Sequence, residues 1–368
     1  MGHSMKLAPR YVVESIGQDA VFFLRLIETL IHHPDSALLA PAVQPFASLF
    51  VVESNTRLLE YSSLPAVLTE DALRAIRPAR HRAKLLLSRS SDVSRVVAEF
   101  DAIVQDERRH FVDSHRGWLA PLKRWLQPDL GLSLCDGHIF STTHGTRFMF
   151  GDDFEGQRLR EASSIVAAYC SSLSRAFGHP PSRSKVEARP IGVIMKDIKC
   201  EALYQRGPLG ELDLAWSGAL AIVLANANFV GKVLRKLVDV DSPSYIKLCV
   251  LCAFHAIESL RLVQDRLVSE KRLPSSAADV LRSVATPEVR QLRKRKELRD
   301  ALVHFQPKRV QAARRPDSYA ELLASLSGGL SQEDLAGLAN SVLATVTTAL
   351  VGGFDLHPGT FWHGTVQR

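Results

Sequence analysis

Residues 294–305 read KRKELRDALVHF, and three side chains in that run could do acid–base chemistry on a phosphate: Arg299, Asp300 and His304. An imidazole has an unperturbed pKa of about 6.5, so near neutral pH it can take or give a proton. A guanidinium offers a rigid fork of donors that suits a phosphate and the charge that grows on it in a transition state. Asp300 and His304 are one helical turn apart, which would let the carboxylate orient the ring. Arg299 stands roughly 140° round a helix from His304 and reaches across only by its length.

The element that must carry these groups is signalled at both ends. Thr286 can cap a helix, Pro287 fits its first position, and Glu288 complements the positive end of its dipole. Phe305 precedes Gln306-Pro307, where a helix has to stop. The expectation is one helix from Thr286 to Phe305. On it Leu298, Ala301, Leu302 and Phe305 form an i, i+3, i+4, i+7 stripe that docks on the core. Arg299, Asp300, Val303 and His304 then point the other way, toward a second surface.

Charge surrounds the motif. The 368-residue chain carries a formal net charge of +7. Residues 289–315 hold ten Lys or Arg against Glu297 and Asp300, a local excess of +8, so the rest of the chain is close to neutral. A second run, residues 73–95, holds seven Lys or Arg against one Asp. Such clusters are the electrostatic footprint of a polyanion partner, the alternative being a solvated helix face. Arg290, Arg293, Lys294, Arg295, Lys296, Lys308 and Arg309 are the expected nucleic-acid contacts.

Arg299-Asp300-Ala301-Leu302-Val303-His304 resembles the motif of the HEPN superfamily, helical bundles whose nucleases carry Arg, a polar residue that is often Asn, Asp or His, then a few residues and His. The resemblance covers Ala215 to Val351. It implies metal-independent RNA cleavage without a cofactor, with two motifs meeting across a dimer so that paired Arg and His residues surround one scissile phosphate. It also implies a setting in stress or phage defence. The family includes members that bind without cutting, so a noncatalytic helical adaptor that dimerises and binds RNA or an acidic partner is the alternative. A candidate second copy lies in DERRHFVDSHRGW, residues 106–118, where Arg108 and Arg109 precede His115. Phe100, Val104, Phe111, Trp118 and Leu122 fall on the same arc as Arg108 and His115, which favours a hydrogen-bonded histidine at the core edge. If this copy pairs with the first, the chain is an internal pseudo-dimer; otherwise two chains meet as a homodimer.

The whole chain reads as mainly α: two helical bundles with a small β-hairpin or ribbon insertion. The N-terminal helical domain is expected over residues 8–180, with helices at 11–33, 38–61, 71–88, 91–126 and 157–177 and a hairpin over 131–151. The Pro- and Ser-rich stretch 178–190 marks the boundary. Short strand-like pieces, IGVIM and EALYQ, follow it. The C-terminal HEPN-like bundle is expected over 190–356, with further helices at 215–238, 242–271, 275–284, 318–327 and 332–351.

Several classes lack support. Five cysteines, an odd number in a chain this long, make no disulfide framework and suit a reducing cytoplasm. The start has no apolar signal region, and the uncharged stretch Leu335–Phe354 carries enough Asn, Ser, Thr and Gly to read as a buried helix, so no membrane is expected. Cys249, Cys252 and His255 lack a fourth ligand and the loop geometry of a zinc site. His32, His33 and Asp35, and His138 with His144, lack metal-ligand spacing, so no metal is expected. No phosphate-binding glycine loop or serine-hydrolase motif is present in the sequence.

Overall fold

Capping and periodicity place most of the helices where the sequence puts them. The computed structural model of the chain describes residues 10–60, 68–85, 90–150, 156–178, 190–305, 318–357 and 360–361, without the side chains of 78, 80–85, 90–92 and 156. Among these residues are fifteen α-helices and one three-stranded antiparallel sheet, so the expectation of a mainly α chain with a small β insertion holds. In order they are α1 (Arg10–Ile31), α2 (Ser36–Leu58), α3 (Glu70–Leu85), α4 (Ser90–Glu107), α5 (Ala120–Leu126), β1 (Leu130–Cys135), β2 (His138–Thr142), α6 (Thr143–Phe150), α7 (Gly156–Ala176), β3 (Val193–Ile198), α8 (Glu201–Tyr204), α9 (Leu214–Asn228), α10 (Pro243–Ser269), α11 (Ser275–Ser283), α12 (Pro287–Arg293), α13 (Lys296–His304), α14 (Tyr319–Leu326) and α15 (Gln332–Gly353).

Two of the long helices, α10 and α15, begin on side-chain caps. Ser242 accepts the N–H of Tyr245 at the head of α10, with Pro243 in the first position, and Ser331 with Asp334 forms a reciprocal capping box on α15. These two helices pack along each other. Beyond its acidic first turn, the face of α15 turned to solvent is small and polar, carrying Gly337, Asn340, Ser341 and Thr348, which is why the uncharged stretch from Leu335 on can be amphipathic here. Helix α9 is buried almost all round, and Gly218 on it lets the ring of Phe100 from α4 approach the backbone.

One buried apolar cluster runs from Val12 to Phe354 and draws on both expected halves. α1 packs on α7, α10 and α14, α4 on α9, and α13 on α2. The expected boundary at 178–190 lies almost wholly outside the described residues. Three stretches, Ser36–Leu58, Leu214–Lys236 and Gln332–Gly353, are long and apolar enough to cross a membrane by length and composition.

Three expectations need correction. The hairpin expected over 131–151 closes early: β1 and β2 turn at Asp136-Gly137, both with positive φ, and the chain then enters α6 because Thr142 accepts the N–H of Gly145. The third strand, β3, pairs with β1 to give the order β2-β1-β3, while EALYQ forms the single turn of α8. The helix expected over 91–126 ends as α4, widens into a π-type turn at Arg108–Asp113, breaks, and resumes as α5. Phe100 and Val104 are buried as expected, but Phe111 on the π-type turn is exposed, and Trp118 and Leu122 are exposed because the break at Gly117 (φ +90°) swings α5 out of the register that a continuous helix would keep.

Candidate functional site

The expected helix over 286–305 is two helices. Thr286 accepts the N–H of Val289 and Pro287 opens α12, as its sequence indicates. The break falls at Lys294-Arg295, within four consecutive cations that repel one another on a continuous turn. Arg295 stabilises the break: its Nε donates to the carbonyl of Ser327 at 2.7 Å and its Nη1 to that of Gln291 at 2.6 Å. α13 then starts afresh and carries the motif.

Helix α13 ends at His304. Phe305 adopts a left-handed conformation (φ +52°), uncommon for an aromatic residue and held here by burial of its ring. That ring meets Phe50 edge-on, and the ammonium of Lys247 stands 3.8 Å from its centroid. The stop is therefore anchored, and the orientation of His304 with it.

His304 faces α2 of the same chain. Its Nδ1 lies 2.7 Å from Oε2 of Glu53, a carboxylate only 6% exposed, while the imidazole side chain is 44% exposed. A carboxylate only accepts, so Nδ1 carries the proton, and in the neutral ring Nε2 is left with its lone pair. This is the geometry of a general base with an orienting acid behind it. The orienting carboxylate expected here was Asp300; in the structure Asp300 holds Arg299, whose Nη2 and Nε reach Oδ1 at 2.5 and 3.0 Å. Val303, expected on the outer face, is 7% exposed and belongs to the core, because α2 covers the side of α13 opposite its apolar stripe.

Behind this face lies a charged network that sequence reasoning missed. Lys247 on α10 pairs with Asp19 on α1, and Ser244 donates to the other oxygen of Asp19 at 2.7 Å. Both ions are buried. Burial drives the ammonium of Lys247 toward its neutral form and lowers its pKa; the charges of Asp19 and Glu53 oppose that shift. Asp19, Glu53 and Lys247 share a signal: each is a lone charge in an apolar run, GQDAVFF, SLFVVESN and SYIKLCV. A buried lone charge needs a partner of opposite sign, or an ionisable ring, somewhere else in the chain.

The expected nucleic-acid contacts divide into two groups. Arg290 donates to the carbonyl of Ala285 at 3.0 Å, Arg293 lies 3.4 Å from Glu258, and Arg295 supports the α12–α13 break. Lys294 and Lys296 are exposed at that break, one turn before the motif. Lys308 and Arg309 lie outside the described residues. In the other basic run Arg74 pairs with Asp71 and Arg77 with Glu70.

The candidate second copy is placed elsewhere, on the π-type turn after α4. Arg108 pairs with Glu201 at 3.2 Å, Arg109 is exposed, and His115 Nε2 lies 3.4 Å from Gln127 Oε1, a hydrogen-bonded histidine at the surface edge. Cys249 and Cys252 are buried, and burial raises the Cys249 thiol to about 11. His33 accepts the N–H of Asp35 at the α1–α2 corner. His144 is fully buried; it donates Nε2–H to the carbonyl of Asp129 at 3.0 Å and accepts from the Tyr204 hydroxyl at 3.3 Å. Among the described residues Asp129, Cys200 and Glu201 bring one possible metal-ligating atom each within 4.8 Å of one another. Asp129 Oδ1 already accepts the backbone N–H of Cys200, and Glu201 holds Arg108.

No protein-family model, curated protein or solved structure matches this chain.

Proposed function

We propose that this chain acts on RNA in the HEPN manner, as an endoribonuclease or RNA-binding effector of the cytoplasm, with His304 as its proton-transfer group. The observation that carries the reading is the His304–Glu53 pair: a half-exposed imidazole whose Nδ1 is seated on a buried carboxylate. In this reading Nε2 takes the proton of a ribose 2′-hydroxyl. The 2′-oxygen attacks phosphorus, the bond to the 5′-oxygen breaks, and a cyclic phosphate and a free 5′-hydroxyl result. The leaving oxygen takes its proton from a second imidazole, supplied by a second copy of the motif, or from water. Arg299, shared with Asp300, stabilises the phosphate, and Lys294 and Lys296 hold the strand by charge.

The second reading, a noncatalytic adaptor that dimerises and holds RNA or an acidic partner, is favoured by the engagement of Arg299 with Asp300 in the same subunit. One experiment separates the two. The full chain is incubated with structured RNA in EDTA beside His304→Ala and Glu53→Gln. Cutting that resists EDTA, disappears in the first variant and weakens in the second supports the enzyme. Binding without cutting in all three supports the adaptor, and neither binding nor cutting in any removes RNA from the account.

A further inference from the structure

Of the eleven large hydrophobic side chains exposed among the described residues, six lie within residues 111–126: Phe111, Trp118, Leu119, Leu122, Trp125 and Leu126. Trp118 is 88% exposed and Trp125 69%. A monomer rarely leaves such a contiguous apolar group in water without a use for it. Helix α5 is amphipathic in the reverse sense. Leu122, Trp125 and Leu126 are i, i+3 and i+4 and face solvent, whereas Ala120 and Arg124 occupy the opposite side, where Ala120 is buried.

The segment is built rather than loose. Arg124 donates to the carbonyl of His115 at 3.0 Å, Lys199 donates to that of Arg124 at 3.1 Å, and His115 meets Gln127, which together clamp the loop and α5 onto the sheet end. Charge rings the apolar face. Residues 108–126 hold Arg108, Arg109, Arg116, Lys123 and Arg124 against the single acid Asp113. The neighbouring carboxylates are engaged: Glu201 by Arg108, Asp106 and Glu107 by Arg147.

We propose that this projection, Phe111 with Trp118–Leu126, is a peripheral membrane-docking surface that seats its two indoles and its leucines in the interfacial zone of an anionic lipid surface, with Arg109, Arg116 and Lys123 against the headgroups. Indole suits this zone because it has a large apolar body and one polar N–H. Cations flanking aromatic and leucine side chains complement a negative leaflet, as interfacial helices do. The leucines choose between polyanions. Nucleobases stack on planar rings and gain little from a leucine row, whereas acyl chains take both. No helix need span the bilayer, and the His304 site is on other elements, so this inference stands apart from the RNA reading.

The test uses the full chain with vesicles of phosphatidylcholine alone and with about one third phosphatidylserine. Expected are co-sedimentation with the anionic vesicles only, a blue shift of indole fluorescence on binding, and weakening by salt. Trp118→Ser combined with Trp125→Ser should lower the vesicle partition coefficient at least about tenfold, with an unchanged thermal unfolding curve because both side chains project into solvent. Lys123→Glu with Arg116→Glu should abolish the preference for phosphatidylserine. The proposal is overturned if the wild-type chain stays in the supernatant with anionic vesicles, or if the double tryptophan variant binds them as wild type does. It is equally overturned if that variant turns a dimer into a monomer while vesicles are ignored, since the face would then belong to a second copy.

Discussion

Glu53 and His304 are 251 residues apart in the chain and 2.7 Å apart in space, the carboxylate buried on α2 and the imidazole half-exposed at the end of α13. Glu53→Gln keeps a side-chain oxygen that can accept from Nδ1–H but removes the negative charge. It is expected to keep the fold with a loss of about 1–2 kcal/mol, the scale of the difference between a charge-assisted and a neutral hydrogen bond. In an RNA-cleavage assay it should also lower the rate, since the ring loses the anion that seats it; a rate equal to that of the wild type would show that the pair does not serve the reaction.

The buried Asp19–Lys247 pair makes an asymmetric prediction. Asp19→Asn strands an ammonium whose burial already opposes its charge, and the expected cost is about 3–5 kcal/mol in urea unfolding. Replacing both partners, Asp19→Leu with Lys247→Met, removes both desolvation costs and should recover most of that loss. A double variant less stable than Asp19→Asn would contradict this account.

His144 sets an acid limit on stability. Burial holds its pKa near 4, against an ordinary value of 6.5, with its bond to the Asp129 carbonyl partly opposing the shift. Below pH 6.5 the unfolded chain binds a proton at this ring that the folded chain refuses until pH falls to about 4. Stability is therefore full above 6.5 and declines between 6.5 and 4, by up to about 3 kcal/mol from this group. Urea midpoints measured across that window should fall more steeply for the wild type than for His144→Asn; parallel curves would assign the decline to other groups.

Gly218 on α9 lies against the ring of Phe100 on α4. A Cβ there would stand 1.9 Å from Cε1 of Phe100, a fully buried ring with no room to retreat. Gly218→Ala should destabilise the chain by about 2 kcal/mol or more through overpacking, despite the better helix propensity of alanine. Phe100→Leu in the same chain should relieve part of the clash. A stabilised Gly218→Ala would mean that the helices separate freely.

What the sequence determined by itself is local. Thr286 and Pro287 start α12 as read, Phe305 before Gln306-Pro307 ends α13 as read, and the apolar stripe of Leu298, Ala301 and Leu302 docks as read. Each rests on interactions within a turn or two of chain, where periodicity and capping are visible in the order of residues. Tertiary structure decided the rest. It broke the expected helix at Arg295, whose partner carbonyl on Ser327 lies beyond the motif; it laid α2 over the outer side of α13, burying Val303; and it supplied Glu53 in place of Asp300 as the acid behind His304. It also turned the greasy side of α5 outward. A lone carboxylate in an apolar helix announces that it needs a partner, but the identity of that partner depends on which helices pack together, and packing is a property of the whole buried cluster rather than of any one segment.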